Sequence, residues 1–200
     1  MNERSRVTSR GQARHHTLID AAAELFLEKG YAEVTIDEII LSAGGSKTNV
    51  YRQFGGKDGL LAEVVEQLCS EFLSPLSQLE LGNVERKIGL GILGRTLLRQ
   101  LLQPRHVAFQ RMVLATSKQF PELMAKWYQA GPRKSQAFIA LFLGETEKAR
   151  SLAVFFHDMI VTDAVNSAMM GKPVSWTDIE IRVDAAAELV AWRIEKTGVS

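Results

Sequence analysis

The sequence predicts an all-α protein, with a short N-terminal three-helix module containing a helix-turn-helix and a larger helical bundle after it. Three observations point that way. Apolar residues recur at i, i+3, i+4 and i+7 over most of the 200 residues. Glycine and proline fall where those stripes end. No stretch shows the sustained alternation of a half-buried strand between hairpin turns.

The first stripe is Leu18, Ala21, Ala22, Leu25 and Phe26, ending at Gly30, which suits a left-handed helix cap. Thr35-Ile36-Asp37-Glu38 reads as a capping box that opens a short second helix with Ile36, Ile39 and Ile40 on its apolar side. Ala43-Gly44-Gly45 reads as a turn, and Ser46 as the cap of a third helix ending near Phe54, before Gly55-Gly56. A fourth helix is expected from Lys57, with Leu61, Val64, Val65, Leu68 and Phe72 on one side, until Pro75 interrupts it. Beyond Gly82, helices are expected at roughly 84–102, 105–117, 121–143, 147–170 and 177–196, punctuated by Pro104, Pro121, Gly131-Pro132, Gly144 and Gly171-Lys172-Pro173. The domain division follows: a basic tail over 1–13, the helix-turn-helix over 14–60 and the bundle over 61–200.

Hydrophobic residues make up 46% of the chain, enough for a real core, and the formal net charge is +1. The distribution of charge says more than its sum. Arg4, Arg6, Arg10 and Arg14 precede Leu18 without an acid among them, and Lys47, Arg52 and Lys57 follow Gly44 in the same way. Two such clusters form a footprint for phosphate. Cys69 is the only cysteine, which excludes an intramolecular disulfide and fits a reducing, cytoplasmic setting. No apolar signal-peptide core follows the basic start before Leu18, and no apolar run approaches the ~18 residues of a membrane span.

On a wheel of ~100° per residue, Val50 and Phe54 share the inward face of the third helix. Thr48 and Arg52 fall opposite, flanked by Asn49 and Tyr51. Such a face carries many hydrogen-bonding groups and no acid, so the helix can enter a major groove. Arg52 suits guanine and Asn49 suits adenine. Thr35, Ser46, Lys47, Tyr51 and Lys57 suit phosphate, where they would fix register. The rival reading is a merely solvated polar helix.

The run from Thr35 to Leu61, with its Ala43-Gly44-Gly45-Ser46 turn, Tyr51-Arg-Gln-Phe54 and Lys57, resembles the signature of the TetR family of transcriptional regulators. Ala21-Ala-Ala-Glu-Leu-Phe26 and Gly30-Tyr31 are similar to the family's first helix and its end. Two positions depart. Gly45 stands where an apolar residue is usual, which predicts a lost core contact in the turn, and Thr48 stands where glycine is common. Phe120-Pro-Glu-Leu-Met124 and Trp127-Tyr-Gln-Ala-Gly-Pro132 resemble the AefR-like C-terminal subgroup. The resemblance implies a homodimer on double-stranded, palindromic DNA, with the bundle binding a small hydrophobic or aromatic effector and holding the two subunits together. The Arg-rich segment before Leu18 would then reach over the backbone or into the minor groove, with a solvated tail over residues 1–10 as the competing reading. Candidate effector contacts are Phe109, Met112, Trp127, Tyr128, Phe138, Phe142, Phe155 and Phe156; candidate pairing residues are Leu152, Phe155, Met159, Leu189 and Trp192. For each, the competing reading is ordinary core.

Other signals are weaker. Gly89-Leu-Gly91-Ile-Leu-Gly94 spells a dinucleotide fingerprint, but Glu85-Arg-Lys precedes it where a strand should be, and no acid lies between Glu85 and Glu122. Close helix packing accounts better for those glycines. His157-Asp158 with Asp163 does not make a metal cluster, and no cofactor is expected. Cys69 reads as a buried small side chain. No catalytic constellation is evident. That counts against the rival reading of a small helical enzyme, and a constitutive DNA-binding protein remains the alternative to a ligand-responsive one.

Overall fold

The computed structural model describes residues 9–196, with side chains from residue 11. Ten α-helices and one π-turn follow in order, and no strand occurs among the described residues. The chain divides into two compact units, residues 1–68 with 112–126, and residues 69–111 with 127–200.

The first unit holds α1 (Ser9–Lys29), α2 (Ile36–Ala43), α3 (Lys47–Phe54) and the start of α4 (Lys57–Ser77). Helix α1 begins inside the stretch expected to be tail, so Arg14 is helical and exposed. Leu18, Ile19, Ala22, Ala23 and Phe26 of α1 are buried, as are Ile39, Val50, Leu60, Leu61, Val64 and Val65. Each large apolar side chain among them contributes roughly 1.5–3 kcal/mol. The segment 112–126 joins this core through Met112, Val113 and Leu123, and the Phe120 ring meets Tyr31 edge-on at 5.3 Å.

The second unit contains the rest of α4, α5 (Arg86–Leu101), most of α6 (Pro104–Thr116), the end of α7 (Pro121–Tyr128), the π-turn Gln129–Arg133, α8 (Lys134–Leu143), α9 (Glu147–Met169) and α10 (Trp176–Lys196). Leu90, Ile139, Ala153, Phe156, Ile160, Val183, Ala186 and Val190 form its main core. The sequence placed one helix over 121–143. The structure instead interrupts it at Gln129–Arg133, where Pro132 supplies no N–H for a regular helical bond. Pro75, expected to stop α4, lies inside it; burial of Leu73 and Leu76 on either side outweighs the hydrogen bond lost so near the helix end.

Gly89, Gly91 and Gly94 are buried in α5, away from any strand. A Cβ on Gly94 would lie 3.0 Å from Val183 Cγ1 and 3.1 Å from both Ile160 Cδ1 and Phe156 Cζ. Gly94, and Gly89 with the Phe142 ring where its Cβ would be, therefore serve helix packing; a Cβ on Gly91 would meet only the Arg95 side chain of the same helix. Lys87–Glu188 (2.9 Å) and Arg95–Asp184 (2.7 Å) also link α5 to α10, each solvent-exposed enough to add little. Among the described residues, no helix is long and apolar enough to cross a membrane, and no cluster of His, Cys, Asp or Glu could hold a metal ion.

Candidate nucleic-acid interface

Two caps set the helix-turn-helix. Thr35 Oγ1 accepts from the Glu38 backbone N–H at 3.2 Å, and Glu38 Oε2 accepts from the Thr35 N–H at 2.8 Å. That backbone donor, then Lys29 and the Thr35 hydroxyl, lower the Glu38 carboxyl to about 2. Ser46 Oγ accepts from the Asn49 N–H at 3.3 Å and starts α3. Between the helices, Gly44 and Gly45 take φ of 75° and 118°. A Cβ on Gly45 would meet nothing within 4 Å, so the core contact expected to be missing there has no counterpart in the structure. What the turn requires is the positive φ.

Val50 and Phe54 are buried, whereas Thr48, Tyr51 and Arg52 are exposed and Asn49 is half-buried. Arg14, Gly45, Ser46, Thr48, Asn49 and Arg52 line a cleft of about 450 Å³ with no acidic residue in its wall. Arg14 was legible only as part of a basic segment; its place in this cleft depends on α1 reaching back past Leu18. Arg4 and Arg6 lie outside the described residues, and Arg10 is described only as helical backbone.

The side chains of α3 are bonded to one another. Arg52 Nη2 donates to Asn49 Oδ1 at 2.7 Å, and Gln53 Nε2 donates to the same oxygen at 3.1 Å. Both lone pairs of Asn49 Oδ1 are thus engaged, and what Asn49 offers outward in this arrangement is its amide N–H. A bidentate grip on adenine needs both the donor and the acceptor. Gln53 was missed in the sequence, although an i, i+4 Asn–Gln pair on an exposed helix face is a recognisable signal.

The other basic candidates differ in availability. Lys47 Nζ donates to Asp37 Oδ2 at 2.7 Å, a bond that raises its pKa. Lys57 is half-buried, its Nζ 4.2 Å from the Tyr31 ring centroid, and desolvation lowers its pKa. Tyr31 OH donates to Asp58 Oδ1; burial, then that bond, raises the phenol well above its ordinary range. Ser46 spends its hydroxyl oxygen on a cap and keeps its O–H donor, whereas the Thr35 O–H donates to Glu38 Oε2 at 2.9 Å.

In the second unit, a cavity of about 350 Å³ is lined by Leu76, Leu79, Leu81, Leu93, Leu141, Phe138 and Phe142, with Ser77 and Gly82. Of the residues expected to contact an effector, only Phe138 and Phe142 line it. Phe156 is in the core against Gly94, and Phe109 is fully buried beside Phe72 and His106. Met112 is buried and belongs to the first unit. Trp127 is half-buried by Gly131, and Tyr128 is exposed beneath Arg133. Phe155 is not among the residues that line this cavity and is 62% exposed on α9. It joins Leu189 (55%) and Trp192 (52%) of α10 as exposed apolar surface, while Leu152 and Met159 are half-buried against the core. The stripes of α9 and α10 are therefore two-sided, with Phe156, Ile160 and Val183 facing inward.

Residues 18–64 match the family described as bacterial regulatory proteins, tetR family, and residues 89–191 match the AefR-like transcriptional repressor C-terminal domain. The HTH-type transcriptional regulator YvkB of Bacillus subtilis is 36% identical over 63 residues, 32% of this chain and 33% of that one. The transcriptional regulator MftR of Mycobacterium tuberculosis is 29% identical over 137 residues, 62% of each chain. The chain thus spans less than two thirds of these curated relatives. Among solved structures, a TetR-family regulator from Mesorhizobium loti is 25% identical with a TM-score of 0.79, covering 93% of this chain and 98% of its own. The Flavonoid-responsive Regulator FrrA is 24% identical with a TM-score of 0.77, covering 91% and 97%.

Proposed function

The chain belongs to the tetR family of bacterial regulatory proteins, which are DNA-binding transcriptional regulators and not enzymes, and from that premise we propose that it is a repressor released from a palindromic operator by a small hydrophobic or aromatic effector. The observation that carries this reading is the acid-free face of α3, whose Thr48, Asn49 and Arg52 open onto one cleft with Arg14. Arg52 reads a base edge there. Arg14, Ser46, Lys47, Tyr51, Thr35 and Lys57 hold phosphates on either side.

Phe155, Leu189 and Trp192 supply the surface that pairs two subunits by two-fold symmetry, since an exposed apolar patch on a protein that needs two reading heads has an evident partner in its own copy. The effector occupies the leucine- and phenylalanine-lined cavity, whose wall has no charged side chain and so favours an uncharged apolar ligand. The experiment is selection of bound duplexes from a random-sequence pool by the full chain, followed by release of the winning duplex with an aromatic and apolar compound library. A two-fold-symmetric winner and at least one releasing compound support the reading. Winners without symmetry, or binding that no compound disturbs, count against the operator and effector parts respectively.

A further inference from the structure

Helix α3 does not hold Arg52 alone. A chain of hydrogen-bonded side chains runs from α1 to the reading face: His15, Gln53, Asn49, Arg52. His15 Nε2 lies 4.0 Å from Glu63 Oε2 and its Nδ1 3.3 Å from Gln53 Oε1. Gln53 Nε2 donates to Asn49 Oδ1, which also accepts from Arg52. The direction of these bonds follows from the amides. Gln53 commits its N–H to Asn49, so it turns its carbonyl oxygen to His15, and His15 Nδ1 must carry the proton. The imidazole is itself held flat against Phe54, with ring centroids 4.8 Å apart and planes within 21°. Phe54 is buried in the core of the first unit, so the relay is anchored at a rigid point.

We propose that His15 is a positioning residue for sequence reading: through Gln53 and Asn49 it fixes the guanidinium of Arg52, and it does so without touching DNA. The physical argument concerns entropy. An exposed arginine samples many rotamers, and a base contact must first stop that motion. A carbonyl already engaged with Nη2 holds the guanidinium plane in one orientation, leaving Nη1 and Nε for a base edge. Gln53 and His15 in turn stop Asn49 from rotating away. Bonds that polarise one another in series are stronger together than singly. Loss of the donor on His15 frees Gln53, then Asn49, then Arg52. Discrimination between base pairs falls, while phosphate contacts are left in place.

This inference rests on Arg52 reading a base, and the test separates the two. The probes are the duplex selected by the full-length protein from a randomised pool, its single base-pair variants, and an unrelated duplex of equal length. His15→Phe keeps a ring on Phe54 and removes the donor; His15→Asn restores a donor near the Nδ1 position. Gln53→Leu cuts the relay at an exposed site with no core to disturb. His15→Phe and Gln53→Leu should each lower discrimination at one base pair by roughly tenfold, with affinity for the unrelated duplex unchanged. His15→Asn should recover most of it, and His15→Phe with Gln53→Leu should cost no more than either alone. If His15→Phe keeps full discrimination, or weakens both duplexes equally, the relay is overturned. If Arg52→Ala itself leaves discrimination intact, the base-reading assignment fails instead, whatever His15 does.

Discussion

The ammonium of Lys57 sits 4.2 Å from the ring centroid of Tyr31, whose hydroxyl donates to the carboxylate of the next residue, Asp58. Lysine and tyrosine thereby set each other's position at the start of α4, and the Phe120 ring packs on the same tyrosine. A cation over an aromatic face gains about 0.5–1 kcal/mol when partly exposed. Together with the long bond from Lys57 Nζ to the Ala32 carbonyl at 3.4 Å, that orients the lysine, and a charge-assisted bond to a phosphate oxygen is stronger than either.

Lys57→Ala should therefore weaken binding to every duplex and reduce the slope of log affinity against log salt by about 0.9 per subunit. Phe120→Ala, which loosens Tyr31 from one side, should give a smaller loss of the same kind. Affinities measured over a salt series provide the check, and an unchanged slope in Lys57→Ala would remove the contact from consideration.

Pairing of subunits is testable without deleting helices, because α9 and α10 also build the core of the second unit. Leu189→Glu places a charge on an exposed position and leaves Val183, Ala186 and Val190 in place. Light scattering should then report one chain mass in place of two. Affinity for the selected operator should fall ~10²–10⁴-fold, as two tethered heads become one.

Packing at Gly94 gives a stability prediction. Gly94→Val directs new carbon at Val183, Ile160 and Phe156, all inside the core. Overpacking of this kind costs about 1–3 kcal/mol, against at most ~1 kcal/mol recovered in helix propensity. Denaturant unfolding should show a lowered midpoint with little change in slope.

His106 predicts a pH dependence. It is buried between Phe72 and Phe109, its Nε2 3.0 Å from Gln110 Nε2, and desolvation lowers its pKa to about 4. An unfolded histidine titrates near 6.5. Between those values the unfolded chain binds more protons, so stability is full above about 6.5 and declines as pH falls toward 4. The full loss from this residue is about 3 kcal/mol. Burial lowers His157 as well, with Asp158 opposing, and adds to the trend. Unfolding measured from pH 7.5 to 4 should show a shallower slope in His106→Leu than in the parent, whatever the variant's starting stability.

Local chemistry in the sequence determined the all-α class, the capping box at Thr35, the cap at Ser46 and the inward face of Val50 and Phe54, because caps and helical periodicity act within one or two turns of chain. The family resemblance was equally local, since it lay in the turn and the short helices around it. Which groups on those helices are still available was decided only by tertiary structure. Arg52 and Asn49 share a helix face in any wheel, but the engagement of Asn49 with Gln53, and of Gln53 with His15, needs α1 laid beside α3. The same holds for aromatic residues: Phe155 and Phe156 are neighbours in sequence, yet one is 62% exposed and the other fully buried. Periodicity marks both as apolar; only the packing of α9 against α5 and α10 decides which of them faces the core, because side chains one residue apart point about 100° apart around the helix.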